Sequence, residues 1–158
     1  MSDQPEQPDQ PDRPVLDHIA IAVPGLEAAL ATWRDALGLP HTGDDVVEEQ
    51  GVKVAFLDVG ALPSGATSGP AAPHGPRIEL LEPLSPDTAV GRHIERRGPG
   101  IHHIALRVND LEAAMANLAS KGYRMTSDSP SPGAHGARVV FVHPKSTGGV
   151  LLELLELP

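Results

Sequence analysis

The 158-residue chain has no cysteine, which excludes disulfides, thiolate metal sites and thiol nucleophiles together. Aromatic residues are nearly as scarce: one tryptophan, one tyrosine and two phenylalanines. The core must therefore rest on Val, Leu, Ile and Ala. Cations are few, with 12 Lys and Arg against 21 Asp and Glu and a formal net charge of −9. No basic cluster offers the counterion-displacing face that a nucleic-acid binder needs. No apolar run approaches the length of a membrane span. The acidic N-terminus carries neither the apolar stretch of a secretory signal nor the arginines of a transit peptide. These absences leave a cytoplasmic protein with neither nucleic acid nor membrane as a partner, long enough to bury a real core.

Two segments read as irregular. Residues 1–14, rich in Pro, Asp and Gln, have almost nothing to bury and read as a disordered tail. Residues 61–76 are rich in Gly, Pro and Ser and read as a loose loop. The remainder, 15–158, is expected to be one domain that says nearly the same thing twice. HIAIAVPGLEAALA begins at His18 and HIALRVNDLEAAMA at His103, identical at nine of fourteen positions and offset by 85. ELLE at Glu79–Glu82 recurs at Glu153–Glu156, offset by 74. The chain thus divides into modules at about 15–86 and 100–158. In each, a strand precedes an amphipathic helix closed by Gly38 or Gly122, and further strands follow (52–60 and 77–84, then the stretches ending in HP and LLELLEL). Leu26, Ala29, Leu30, Trp33 and Leu37 form the apolar stripe of the first helix, and Asn109 or Asp110 caps the second.

Strand alternation assigns the faces. Ile19, Ile21 and Val23 face the first helix, so His18, Ala20 and Ala22 face away; in the copy, His103, Ala105 and Arg107 face away and His102 does not. Each module also ends with a glutamate inside an apolar strand, Glu79 and Glu153, costly to bury without a cation. Two His and two Glu on one face suit a divalent metal with N/O ligands. Glu82 and Glu156, of opposite parity at strand ends, read as solvated. Glu27 and Glu112 favour helix dipoles. His41, His74, His93 and His135 read as ordinary loop or surface residues.

DHIAIAV, EEQGVKVAFL, IELLEPL, GIHHIALRV, GAHG and HPKSTGGVLLELLE together resemble the methylmalonyl-CoA epimerases of the vicinal oxygen chelate superfamily, which also holds glyoxalase I and extradiol dioxygenases. The resemblance spans about residues 15–157. It implies an α+β fold of two duplicated βαβββ modules whose curved mixed sheet surrounds a metal, and a homodimer. It implies His18, Glu79, His103 and Glu153 as ligands to a divalent ion, with Co²⁺ supporting activity and Zn, Mn, Ni or Mg as other candidates. The activity implied is interconversion of (2R)- and (2S)-methylmalonyl-CoA through α-proton abstraction and a metal-stabilised enolate.

Glu153 is then one acid–base group. Some relatives place the other three residues beyond the Gly of EQG, where this chain has Val54. Glu48, Glu49, Gln50 or a water remain for that role, with Glu49 foremost and Gln50 expected at the substrate. Lys145 and Ser146, along with Arg107 and Arg138, are candidates for the coenzyme A arm, and His143 for a hydrogen bond behind the site. A glyoxalase I-type lactoylglutathione lyase is the alternative within enzymes, and a metal-free ligand-binding protein of the same fold the alternative outside them.

Overall fold

The structure is a computed structural model that describes residues 13–60 and 75–158. Most of the expected tail, and the loop over 61–74, lie outside the described residues. Module one runs β1 (Val15–Ala22), α1 (Leu26–Leu30, continued as a wider π-helical turn over Ala31–Ala36), β2 (His41–Val47), β3 (Val52–Asp58) and β4 (Arg77–Pro83). Helix α2 (Ala89–Arg97) leads to module two: β5 (Gly100–Arg107), α3 (Leu111–Ser120), β6 (Ser131–Pro132), β7 (Arg138–Val142) and β8 (Leu152–Glu156). Both modules are βαβββ, and their strands form one eight-stranded sheet in the order β2-β3-β4-β1-β5-β8-β7-β6. β1 and β5 pair antiparallel at the centre, and each pairs in parallel with the last strand of its own module.

Three elements depart from the sequence expectation. β2 carries a glycine and two aspartates, and β6 is a Ser-Pro pair; edge strands need no hydrophobic alternation. Helix α2 is set by Thr88, whose hydroxyl accepts from the Gly91 amide at 3.0 Å. Gly91 is required there, because a Cβ would lie 2.5 Å from the Ser85 carbonyl oxygen. Leu37 leaves the apolar stripe and is 61 % exposed. The π-turn adds a residue to the helical repeat and rotates it outward, and Leu39 packs beside Trp33 instead.

Each face of the sheet has its own core. On the outer face α1 covers Ala55, Leu57 and Leu80, and α3 covers Val140, Val142 and Leu154. On the inner face Ala20, Ala22, Val52, Val54 and Phe56 pack beneath Val90 and Ile94 of α2. The two ends of the strand order meet across this inner face: the Asp45 carboxylate of β2 accepts from the amide of His135, in the turn before β7, at 2.7 Å. That bond holds the Asp45 carboxyl below its ordinary range. His135 is therefore part of the closure rather than an ordinary loop residue, and it holds a left-handed backbone with φ 54° while its ring packs on Phe56 at 5.2 Å.

Glu82 and Glu156 are not merely solvated. Glu82 accepts from the Leu26 amide and Glu156 from the Leu111 amide, each at 2.7 Å. The carboxylate ending the last strand of each module thus satisfies an orphan N–H at the start of that module's helix and meets the positive end of its dipole. Replacing either glutamate by Ala is expected to lower the unfolding free energy by about 1–2 kcal/mol, read as a shifted urea midpoint with unchanged slope.

Candidate metal and active site

The centre of the inner face is a checkerboard. Ala20 of β1 lies between Glu79 on β4 and His103 on β5, while Ala105 of β5 lies between His18 on β1 and Glu153 on β8. Each alanine leaves the space into which its neighbours' longer side chains lean. The four donors are 3–5 % exposed. His18 Nε2 lies 3.0 Å from Glu79 Oε2 and 3.7 Å from Glu153 Oε1. His103 Nε2 lies 3.7 Å from Glu79 Oε2 and 3.5 Å from Glu153 Oε2. Donor atoms bound cis on one octahedral ion at about 2.1 Å stand roughly 3 Å apart. The ligand atoms of His18, Glu79 and His103 all lie within 4.8 Å of one another, and Glu153 adjoins both imidazoles. The chain's two phenylalanines flank the cluster symmetrically, Phe56 opposite Glu79 and Phe141 opposite Glu153.

What lies behind the histidines fixes what they present. The Asp17 carboxylate is 2.7 Å from His18 Nδ1, so that nitrogen is the donor and Nε2 faces the cluster. On the other side the Nδ1 atoms of His103 and His102 are 2.9 Å apart. If His103 donates, its Nε2 lone pair also faces the cluster and His102 is the acceptor. Alternation had turned His102 away from the site. A β-bulge overrides it: the β1–β5 ladder skips Asp17 between Leu16 and His18, and skips His102 between Ile101 and His103. An extra, unpaired residue re-aims its side chain, so each histidine receives an orienting partner from the residue before it.

The two partners differ in kind. Asp17 is 1 % exposed and lies within 3.4 Å of Arg77 and 3.6 Å of Arg107. Arg107 is thereby engaged, as is Arg138, which bonds Glu112 and Glu156. His102 has burial, then the charge of His93, pushing it down to about 4.

The residues present fit a divalent ion. His103 Nε2 is buried without a hydrogen-bond partner, a cost of about 1–3 kcal/mol that a bound ion would remove, and His18 Nε2, buried 3.0 Å from Glu79 Oε2, faces the same space. The protonation pattern of the metal-free cluster points the same way. Burial disfavours a charged His18, yet Glu79, Asp17 and Glu153 hold it up at about 10. Burial, then His18 and His102, drives His103 well down. Glu153 is pushed up to about 8 by burial, against the pull of His18. Protons occupy the cluster where a cation would neutralise it.

Two clefts adjoin the cluster. The larger, about 830 Å³, has His102, His103 and Phe141 on one side and the Glu48–Gln50 turn on the other. Glu48 and Glu49 are exposed on that turn, and Gln50 also borders the small space beside His18, Glu79 and Glu153. Gly51, at φ 67°, swings the chain from this turn into β3, and a Cβ there would lie 2.5 Å from Thr88 Cγ2. Val54 is 1 % exposed in the inner core. The smaller cleft, about 510 Å³, runs between α2 and the 144–150 loop past His102 and His103. Pro144, Gly149 and Val150 line it; Lys145 and Ser146 do not. The Ser146 hydroxyl accepts from the Arg124 amide at 3.0 Å, and His143 Nδ1 accepts from the Lys145 amide at 3.1 Å, so both hold the 144–150 loop in place.

Paired βαβββ modules around a His/Glu/His cluster define a chelating enzyme of the glyoxalase type. Residues 17–141 match the family model of the glyoxalase/bleomycin resistance protein/dioxygenase superfamily, and the chain belongs to it. It is 39 % identical over 144 residues to the ethylmalonyl-CoA/methylmalonyl-CoA epimerase of Cereibacter sphaeroides, covering 90 % of this chain and 97 % of that one. It is 36 % identical over 140 residues to the mitochondrial methylmalonyl-CoA epimerase of Mus musculus, covering 88 % and 71 %. Its fold superposes on a variant of the Streptomyces coelicolor methylmalonyl-CoA epimerase in complex with 2-nitronate-propionyl-CoA with a TM-score of 0.81 at 36 % identity, covering 90 % and 96 % of the two chains.

Two outcomes follow for metal binding, both readable by Co²⁺ absorption titration. His103→Ala is expected to abolish binding. Asp17→Asn and His102→Ala keep every donor and should weaken it by about 10- to 100-fold; equal behaviour of His102→Ala and His103→Ala would contradict this division. Affinity should also rise with pH between about 6 and 8, because the ion must displace protons held on His18 to about 10 and on Glu153 to about 8. The rise approaches tenfold per pH unit for each displaced proton, and a flat profile would contradict it.

Proposed function

We propose that this chain is a metal-dependent epimerase that interconverts (2R)- and (2S)-methylmalonyl-CoA. The observation that carries this is a complete, buried two-His, two-Glu donor set in a chain 39 % identical, over nearly the full length of that enzyme, to one named for this reaction. That relative's name also covers ethylmalonyl-CoA, so a slightly longer acyl branch is a natural second substrate. A metal-free binding protein has no need of four buried ionisable groups. A lactoylglutathione lyase shares the fold but not the near full-length likeness to acyl-CoA epimerases.

His18, Glu79, His103 and Glu153 hold the ion, with Co²⁺ the expected activator and Zn, Mn, Ni or Mg alternatives. When bound, it supplies a Lewis acid that offsets negative charge developing on the thioester oxygen. The carboxylate of Glu153 takes the α-proton: the C–H bond breaks and its electron pair moves toward the thioester carbonyl, giving the enolate. A proton returns to the same carbon from the opposite face, which inverts the centre. Glu49, on the far wall of the larger cleft, is the group assigned to that face in place of the missing glutamate at Val54. Gln50 donates to the substrate's carboxylate, and Lys145, exposed on the 144–150 loop that Ser146 anchors, contacts the coenzyme A arm. The protein acts as a cytoplasmic homodimer in this reading. No helix among the described residues is long and apolar enough to cross a membrane.

NMR in D₂O tests the proposal. With Co²⁺, deuterium should enter the α-carbon of either epimer as the two interconvert, and metal-free protein should do neither. Glu153→Gln should slow exchange by about 10²- to 10⁴-fold, and Glu49→Gln should slow proton return on one face. Folded, metal-loaded protein that exchanges no α-proton would overturn the assignment.

A further inference from the structure

The segment RHIERR places three arginines within six residues, and the fold sets them along one cleft. Helix α2 carries Arg92, Arg96 and Arg97, and all three line the smaller cleft beside His102 and His103. Four other arginines meet carboxylates: Arg34 with Asp35, Arg77 and Arg107 with Asp17, Arg138 with Glu112. Among the described residues, Arg92, Arg96 and Arg97 form no ion pair with a carboxylate. Helix electrostatics account for only part of this. Arg96 and Arg97 sit in the last turn, where cations complement the dipole, but Arg92 lies in the N-terminal half, where a cation gains nothing from it. His93, between them, is pushed below its ordinary value by burial and then by Arg97, as expected where positive charge is concentrated.

We propose that Arg92, Arg96 and Arg97 seat the phosphate-bearing end of a coenzyme A thioester whose acyl end lies at the His18, Glu79, His103 and Glu153 cluster. This rests on the epimerase reading and adds the recognition of the carrier to it. Arg92, His102 and His103 border both clefts, so one elongated ligand passes from the acid–base side of the cluster to the arginines without leaving a continuous groove. The three guanidinium groups span roughly 7 Å of helix axis, enough to meet more than one phosphate group. Arginine suits the task, because its planar fork engages phosphate oxygens in pairs. The 144–150 loop forms the facing wall, with Pro144 and Val150 against the apolar part of the arm.

The test compares methylmalonyl-CoA with methylmalonyl-pantetheine, which has the same reacting end and no phosphate. In the combined Arg92→Gln, Arg96→Gln, Arg97→Gln variant, the ratio of kcat/KM for the CoA ester to that for the pantetheine ester should fall at least about tenfold. The Kd of free coenzyme A, measured by calorimetry on metal-loaded protein, should rise by a similar factor, and its salt dependence should flatten. The corresponding triple Lys variant, which keeps the charge and the helix, should recover part of both. An unchanged ratio or an unchanged Kd overturns the proposal, as does equal loss with both esters. If the parent protein turns over neither ester, the epimerase reading fails separately. The free coenzyme A measurement then decides: weaker binding in the variant supports the arginine seat, and equal or absent binding in both proteins overturns it.

Discussion

The antiparallel pairing of β1 with β5 is the constraint on which the centre of this molecule depends. It brings two copies of one motif face to face across a local two-fold and interleaves their residues. Each alanine of one copy lies beside the histidine of the other, with a glutamate on its far side. Two carboxylates and two imidazoles can then share one dry space without a backbone atom between them. The same ladder contains the two bulges. A regular ladder would have sent Asp17 and His102 to the outer face, among the apolar residues beneath the helices, and left both histidines free to rotate.

Most of this was legible in the sequence because duplication writes the symmetry down. The offset of 85 between the first strands and of 74 between the last marks the modules, and alternation within HIAIAV and LLELL marks which residues share a face. The same offset of 85 relates Phe56 to Phe141, so the two aromatic walls were readable as well, though nothing in the residue type alone drew attention to them. Asp17 and His102 were not readable, since a bulge is a property of the pairing between two strands and leaves no mark on either. β2 was hidden because an edge strand carrying Gly43, Asp44 and Asp45 lacks hydrophobic alternation. Helix α2 was hidden because its capping signal, Thr88, follows a Ser-Pro-Asp turn and its buried residues are only Val90 and Gly91.

Charge in this protein is spent locally. The chain as a whole is acidic, but five of its nine arginines gather in two places: Arg77 and Arg107 at buried Asp17, and three more along α2. The first pair supplies the countercharge that a buried carboxylate requires. The second group leaves cationic side chains exposed beside the one region where a charged ligand has a path to the donors. Between them, the cluster sets two buried carboxylates against two imidazoles, which raises the proton affinity of His18 and Glu153.

The divergence behind the two histidines has a consequence of its own. A site formed between two identical subunits is bound by symmetry: any replacement is made on both sides at once, and both faces of a bound molecule meet the same chemistry. Joining the copies in one chain releases that bond. Position 17 is an aspartate braced by Arg77, while its counterpart is His102, and the counterpart of Arg77 is Leu151. Each half has drifted by single substitutions without dragging the other along. A carbon centre that must be approached differently from its two sides is a task that a strictly symmetric pair of subunits is poorly built to perform, and a fused one is free to learn.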